Sequence, residues 1–66
     1  MRVIVNGQPR DVPAGCSVAD LIRELQLDGR ACAAEVNESL VPRREHASRT
    51  LRENDRVEVV TLVGGG

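Results

Sequence analysis

Phe, Trp and Tyr are all absent from the 66 residues, so any core must be assembled from Val, Leu, Ile, Ala, Cys and Met1. Stacking of aromatic rings on nucleobases is excluded with them. Lysine is missing too: all nine basic side chains are Arg, set against ten acids for a formal net charge of −1. That balance lacks the one-signed field that binding a phosphate backbone requires, so nucleic acid is not an expected partner. Without a Lys amine, copies of the chain cannot be joined through internal isopeptide bonds, which disfavours ubiquitin-like chain building.

Other absences narrow the function further. No run of about 18 apolar residues is long enough to span a bilayer, and Met1-Arg2 reaches polar Asn6 without a signal-peptide core. No membrane association is expected, and the cytoplasm is the expected compartment. There is no GxxxxGK[ST] phosphate loop, so the chain is not expected to bind nucleotide itself. Cys16 and Cys32 lack the CxxC spacing of a redox or metal pair and are too few for a four-cysteine iron–sulfur cluster. Both read as reduced, small apolar fillers.

A chain this short forms one domain and buries only about 60% of the surface it exposes when unfolded. Nearly every aliphatic side chain is needed for the core, and little is left to line an enzyme pocket.

What is present has a clear order. Val3-Ile4-Val5 is a β-branched run, and Asn6-Gly7 after it is a strong signal for a type I′ hairpin turn. Gln8 to Val12 is the return strand, at a sheet edge because Pro9 has no N–H to donate. Ser17 followed by Asp20 makes a capping box for an amphipathic helix carrying Val18, Leu21, Ile22 and Leu25. The pattern predicts about two and a half turns, ended at Leu27-Asp28-Gly29. Cys32, Ala34 and Val36 alternate as a half-buried strand, turning at Asn37-Glu38 into a short strand from Ser39 to Val41 that Pro42 stops. Arg43 to Leu51 is polar and reads as a short helical turn anchored by Ala47 and Leu51. Glu53-Asn54-Asp55 is a turn signal, and Val57 to Val63 is the longest β-prone run, expected to be the central strand. A hairpin, a helix and further strands make an α+β pattern, with first and last strands as parallel neighbours.

That order, with Gly64-Gly65-Gly66 leaving the last strand, resembles the ubiquitin-like β-grasp fold. The detailed motifs are similar to those of the ThiS sulfur carriers of thiamine biosynthesis, in the ThiS/MoaD ubiquitin-like family. The segments that carry the likeness are Val5-Asn6-Gly7, Ser17-Val18-Ala19-Asp20-Leu21, Val41-Pro42-Arg43 with His46, Leu51 through Asp55-Arg56-Val57-Glu58, and the glycine tail. Asn54 departs from the Gly usual there, and Cys32 and Ala34 are smaller than the usual Val. The resemblance implies a β-grasp domain over residues 1–63, a mixed sheet of about five strands packed on one helix, and a flexible glycine tail over 64–66.

The tail has a chemistry of its own. Gly64 and Gly65 have no Cβ, giving reach and clearance in a narrow channel. The Gly66 carboxylate, with a reference pKa of about 3.3 to 3.7, is ionised and a poor electrophile at neutral pH, so it must be activated before sulfur is attached. The resemblance implies that an E1-like adenylyltransferase of the ThiF type uses ATP to adenylate Gly66. Sulfur from a cysteine desulfurase or persulfide donor then makes a thiocarboxylate there, and a thiazole synthase of the ThiG type receives it. The chain is then a carrier and co-substrate, not an enzyme, with no bound cofactor or metal. A carrier for molybdopterin or another pathway and a ubiquitin-like modifier are the alternatives.

Other residues are weaker candidates. Alternation turns Ile4, Val60 and Leu62 to the sheet face away from the helix, where they form a candidate docking patch for a partner. Arg43, Arg44, Arg49 and Arg52 cluster in sequence and read as a solvated face, with an acidic partner surface the sharper alternative. His46 and Ser48 lack a third orienting group and read as structural. Asp20, Glu24 and Asp28 recur along a solvated helix face without His or Cys ligands, which is not a metal set.

Overall fold

The computed structural model describes residues 1–62. Strands β1 (Arg2–Val5), β2 (Gln8–Asp11), β3 (Cys32–Val36), β4 (Ser39–Val41) and β5 (Arg56–Thr61) form one sheet in the order β2-β1-β5-β3-β4, with helix α1 (Val18–Glu24) on one face. β1 runs parallel to β5, and all other neighbouring pairs are antiparallel. β5 is therefore the central strand, as its composition predicts.

Local chemistry explains most of the boundaries. Asn6 and Gly7 both have positive φ, 51° and 84°, as a tight turn twisted to match the strands requires. Pro9 sits in β2 at the sheet edge, opposite Ile4. β2 closes at Asp11 rather than at Val12, although the Val12 N–H still donates to the Met1 carbonyl at 2.8 Å. Asn37 and Glu38, at φ 52° and 69°, turn β3 into β4. Asn54, at φ 69°, takes the left-handed position in the turn before β5.

The helix begins as expected and ends early. The Ser17 Oγ accepts the Asp20 N–H at 3.0 Å, and the Asp20 carboxylate accepts the Ser17 N–H at 3.1 Å, a complete capping box. The Val18 and Ala19 N–H groups, which have no partner inside the helix, donate to the carbonyls of Arg49 and His46. α1 spans 7 residues, about two turns rather than two and a half. Gln26, at φ 61°, takes the left-handed position, the Gln26 N–H donates to the Arg23 carbonyl, and the Leu27 N–H reaches back to Ile22 at 3.0 Å. This paired closure occupies the Ile22 and Arg23 carbonyls before Gly29 is reached. Gly29, at φ 88°, serves the following turn instead.

The core lies between α1 and the inner sheet face. Leu21 and Val18 from the helix meet Val3, Val36 and Val57 from three strands, all essentially without solvent exposure. The Arg43–Glu45 segment is a single 3₁₀ turn. Leu51 is buried after it, but Ala47 is exposed, and His46 fills the anchoring place expected of Ala47. The reason is polar as well as steric: the His46 Nε2 lies 3.0 Å from the Val41 carbonyl, so the ring is buried with a partner.

Two consequences of the capping box are measurable. Ser17→Ala should lower the unfolding free energy by about 1 kcal/mol in urea titrations. Hydrogen bonds from Ser17, its backbone N–H first, together with Arg23, hold the Asp20 carboxyl below its ordinary value. Folding thus favours the charged form, a contribution present at neutral pH and lost as pH falls below about 4 through the lowered native value. The acid-induced fall in melting temperature should be shallower in Asp20→Asn than in the parent chain.

Candidate functional site

The residues that aim the C-terminal segment are those at the end of β5. On one side β1 accompanies β5 only as far as Val5 opposite Val57. Beyond that point the Asn6 carboxamide takes over: its Oδ1 accepts the Val59 N–H at 2.9 Å and its Nδ2 donates to the Val59 carbonyl at 3.2 Å. On the other side β3 continues to Cys32 opposite Thr61, and the Leu62 N–H donates to the Ala31 carbonyl at 2.8 Å. The chain is thereby fixed up to Leu62. Gly64, Gly65 and Gly66, the residues expected to supply reach and the reacting carboxylate, lie outside the described residues.

The proposed docking patch is only partly assembled. Val60 and Leu62 share the outer sheet face at 54% and 55% exposure, and small Ala33 faces Val60 across the strand pair. Ile4 is on the same face but sits opposite Arg56, so Glu58 stands between it and Val60 along β5. The parallel register, with Val5 at the level of Val57, is what sets this separation. Leu40, 67% exposed and paired with Glu35, adds an apolar side chain to this face that the sequence reading did not single out. Its signal was present: Val41 faces the core, so the strand alternation turns Leu40 outward.

Neither weaker candidate forms a reactive pair. His46 must carry its proton on Nε2 to donate to the Val41 carbonyl, and the Ser48 hydroxyl donates to the Glu45 carbonyl at 3.3 Å. Both are held by backbone rather than by each other. Arg43, Arg44, Arg49 and Arg52 are all exposed, with one long ion pair of 4.0 Å, from Arg44 to Glu45, among the described residues. Arg49 and Arg52 border a surface depression with Asn37 and Asp55. No helix among the described residues is long and apolar enough to cross a membrane.

Comparison with known proteins gives one consistent result. The model of the ThiS family matches residues 3–66. A thiazole synthase from Paramagnetospirillum magneticum is 35% identical over the whole chain, which spans 20% of that protein's length. The sulfur carrier protein ThiS of Thermus thermophilus is 34% identical, with 97% of this chain and 98% of that one covered. The crystal structure of the thiamine biosynthesis protein ThiS from Geobacter metallireducens superposes with a TM-score of 0.83 at 28% identity, covering both chains fully. The mixed five-strand sheet on one helix is thus the β-grasp arrangement that the sequence resemblance implied.

Of the two cysteines, Cys32 pairs with Thr61 at the end of β5, and Cys16 precedes the helix. Cys16 is buried, and burial, followed by the nearby Asp20 and Glu24 carboxylates, pushes its thiol pKa up. Cys32 is half-buried, its thiol directed at the Leu27 and Arg30 carbonyls. A raised pKa leaves little thiolate, the reactive form, at neutral pH. In the folded chain, iodoacetamide near pH 7.5 should therefore label Cys32 first, with Cys16 reacting only on addition of denaturant. Peptide mapping after timed quenching distinguishes the two.

Proposed function

The chain belongs to the ThiS family, and on that premise we propose that it is a sulfur carrier in thiamine biosynthesis, supplying the sulfur of the thiazole moiety. The observation that carries this reading is the family match running through residue 66, which takes in the glycine segment that follows the central strand.

The chemistry divides between this chain and its partners. On an E1-like adenylyltransferase of the ThiF type, the Gly66 carboxylate attacks the α-phosphate of ATP. Pyrophosphate leaves, and the result is an acyl-adenylate. A persulfide carried by a cysteine desulfurase or relay protein then attacks the acyl carbon and displaces AMP, and a thiol cleaves the S–S bond of the resulting acyl disulfide, leaving a thiocarboxylate on Gly66 and a disulfide on the donor. A thiazole synthase of the ThiG type takes up that sulfur. The likeness to thiazole synthases that include such a segment within a longer chain supports this partner. In this scheme the acid, the base and the nucleotide site belong to the partners. The carrier is a co-substrate, working in the cytoplasm.

Gly64 and Gly65 supply reach, since each extended residue adds about 3.3 to 3.6 Å, and their missing side chains suit a narrow channel. Val60 and Leu62 are the surface on which a partner grips the domain, and Leu40, on the same face, lies two strands away at the level of Glu58. Ile4, set apart by Glu58, contributes at its margin.

Incubation with the adenylyltransferase, ATP and a sulfur donor should exchange one oxygen for sulfur at Gly66, visible by intact mass. Persistence of the unmodified mass with a demonstrably active enzyme would rule the carrier reading out. The double substitution Val60→Asp and Leu62→Asp should leave the circular dichroism spectrum intact and raise the KM for loading by about tenfold, as loss of a central apolar contact does. An unchanged KM removes the docking role of these two residues.

A further inference from the structure

We infer that Asn6 is a positioning residue for the chemistry at Gly66: its carboxamide serves as an extra peptide unit that sets the direction in which β5 leaves the sheet. The inference rests on the carrier reading above and concerns how this chain prepares its own tail.

The geometry begins with a mismatch in strand length. β1 has run out at Val5, the Asn6 N–H still reaches the Val57 carbonyl at 2.9 Å, and the chain then turns away through Gly7. The N–H and the carbonyl of Val59 would both lack a partner on that side. A carboxamide is the side chain that can donate and accept like a peptide group, and Asn6 does both, at 3.2 and 2.9 Å. The turn itself does not require this. Positive φ at both turn positions is met equally well by Gly-Gly, so the Asn side chain has a task beyond the hairpin.

The second hairpin supplies a contrast within the same molecule. Asn37, at φ 52°, occupies the equivalent turn position and also sends its carboxamide to β5, accepting the Arg56 N–H and donating to the Asp55 carboxylate, both at 3.0 Å. The two asparagines thus hold different levels of the central strand: Asn37 holds its first residue, Arg56, and Asn6 holds Val59, the last residue bonded on the side that β1 no longer covers before Val60 and Leu62. A glycine segment has no side chain with which to register itself in a partner, so the last fixed residues of the strand decide where it starts. Transfer at an acyl centre is sensitive to small errors of aim, because a displacement of about 1 Å can cost up to a hundredfold in rate.

Asn6→Gly and Asn37→Gly are a matched pair, each keeping a turn-competent residue and deleting one carboxamide. Both are assayed well below their melting temperatures, with circular dichroism confirming the fold. Adenylation by the activating enzyme should show kcat lowered about fivefold or more in Asn6→Gly with KM within about twofold, and both constants within about twofold in Asn37→Gly. In the same variants, amide exchange at Val59 should accelerate for Asn6→Gly and stay unchanged for Asn37→Gly. A purely structural role would lower both melting temperatures without this kinetic split. Equal loading by the two variants overturns the inference. If the parent chain is not adenylated at all, the carrier reading fails instead. Unchanged Val59 exchange in Asn6→Gly would then reject the ladder role independently of any enzyme.

Discussion

The parallel pairing of β1 with β5 is the constraint from which the rest of the structure follows. Strands from the two ends of the described chain meet with Val5 opposite Val57. A parallel pair needs a long crossover to join its members, and here α1 lies within that crossover, against the face it must cover. Because no aromatic side chain is available, the buried layer is made of β-branched residues at close spacing. Val3, Val57 and Val36, on three adjacent strands, present small, stiff side chains to Leu21. Truncating any of them would open a cavity in a core with little redundancy. The central strand is shielded on both sides, and the edges fall to β2, which carries Pro9, and to β4, three residues long. Both are poor templates for pairing with another chain.

What the sequence made legible was whatever is decided within a few residues. Asn6-Gly7 gives the hairpin, Pro9 an edge, Ser17 and Asp20 the helix start, and the Val57 run the central strand, because each rests on local dihedral or hydrogen-bonding chemistry. What depends on partners further away was not. Gln26 has no particular preference for positive φ, so the early helix end is fixed by the closing bond from the Leu27 N–H to Ile22, while Gly29, the stronger local stop signal, serves the next turn. His46 is buried because the Val41 carbonyl accepts from its ring, a contact invisible in a stretch of polar residues. Alternation placed Ile4 on the correct face but could not give its height along β5, which the register of a parallel pair alone decides. The carboxamide of Asn6 reaches a residue 53 positions away, and its hairpin signal masked that second task.

These features explain how so small a chain supports a carrier role. Most of its aliphatic residues are consumed by the core, and the described residues assemble neither an acid–base pair nor a cluster of three metal-ligating side chains. What the fold offers is a direction. A strand held by β3 on one side and by a borrowed peptide group on the other delivers the chain to Leu62, with exposed Val60 and Leu62 beside the exit. In the proposed carrier scheme, specificity lies in the surface a partner reads, while reactivity lies in a carboxylate that the partner itself activates. The thiols and the imidazole, the groups most able to interfere with an activated acyl carbon, are directed at backbone carbonyls.

The central claim is that this chain supplies thiazole sulfur through Gly66. Growth on thiamine-free medium after deletion of its gene in the source organism tests this most directly. The account predicts no growth unless thiamine or its thiazole moiety is supplied, with growth restored by the full chain and not by a chain lacking Gly66. Growth of the deleted strain without thiamine, or equal rescue by the shortened chain, would contradict it.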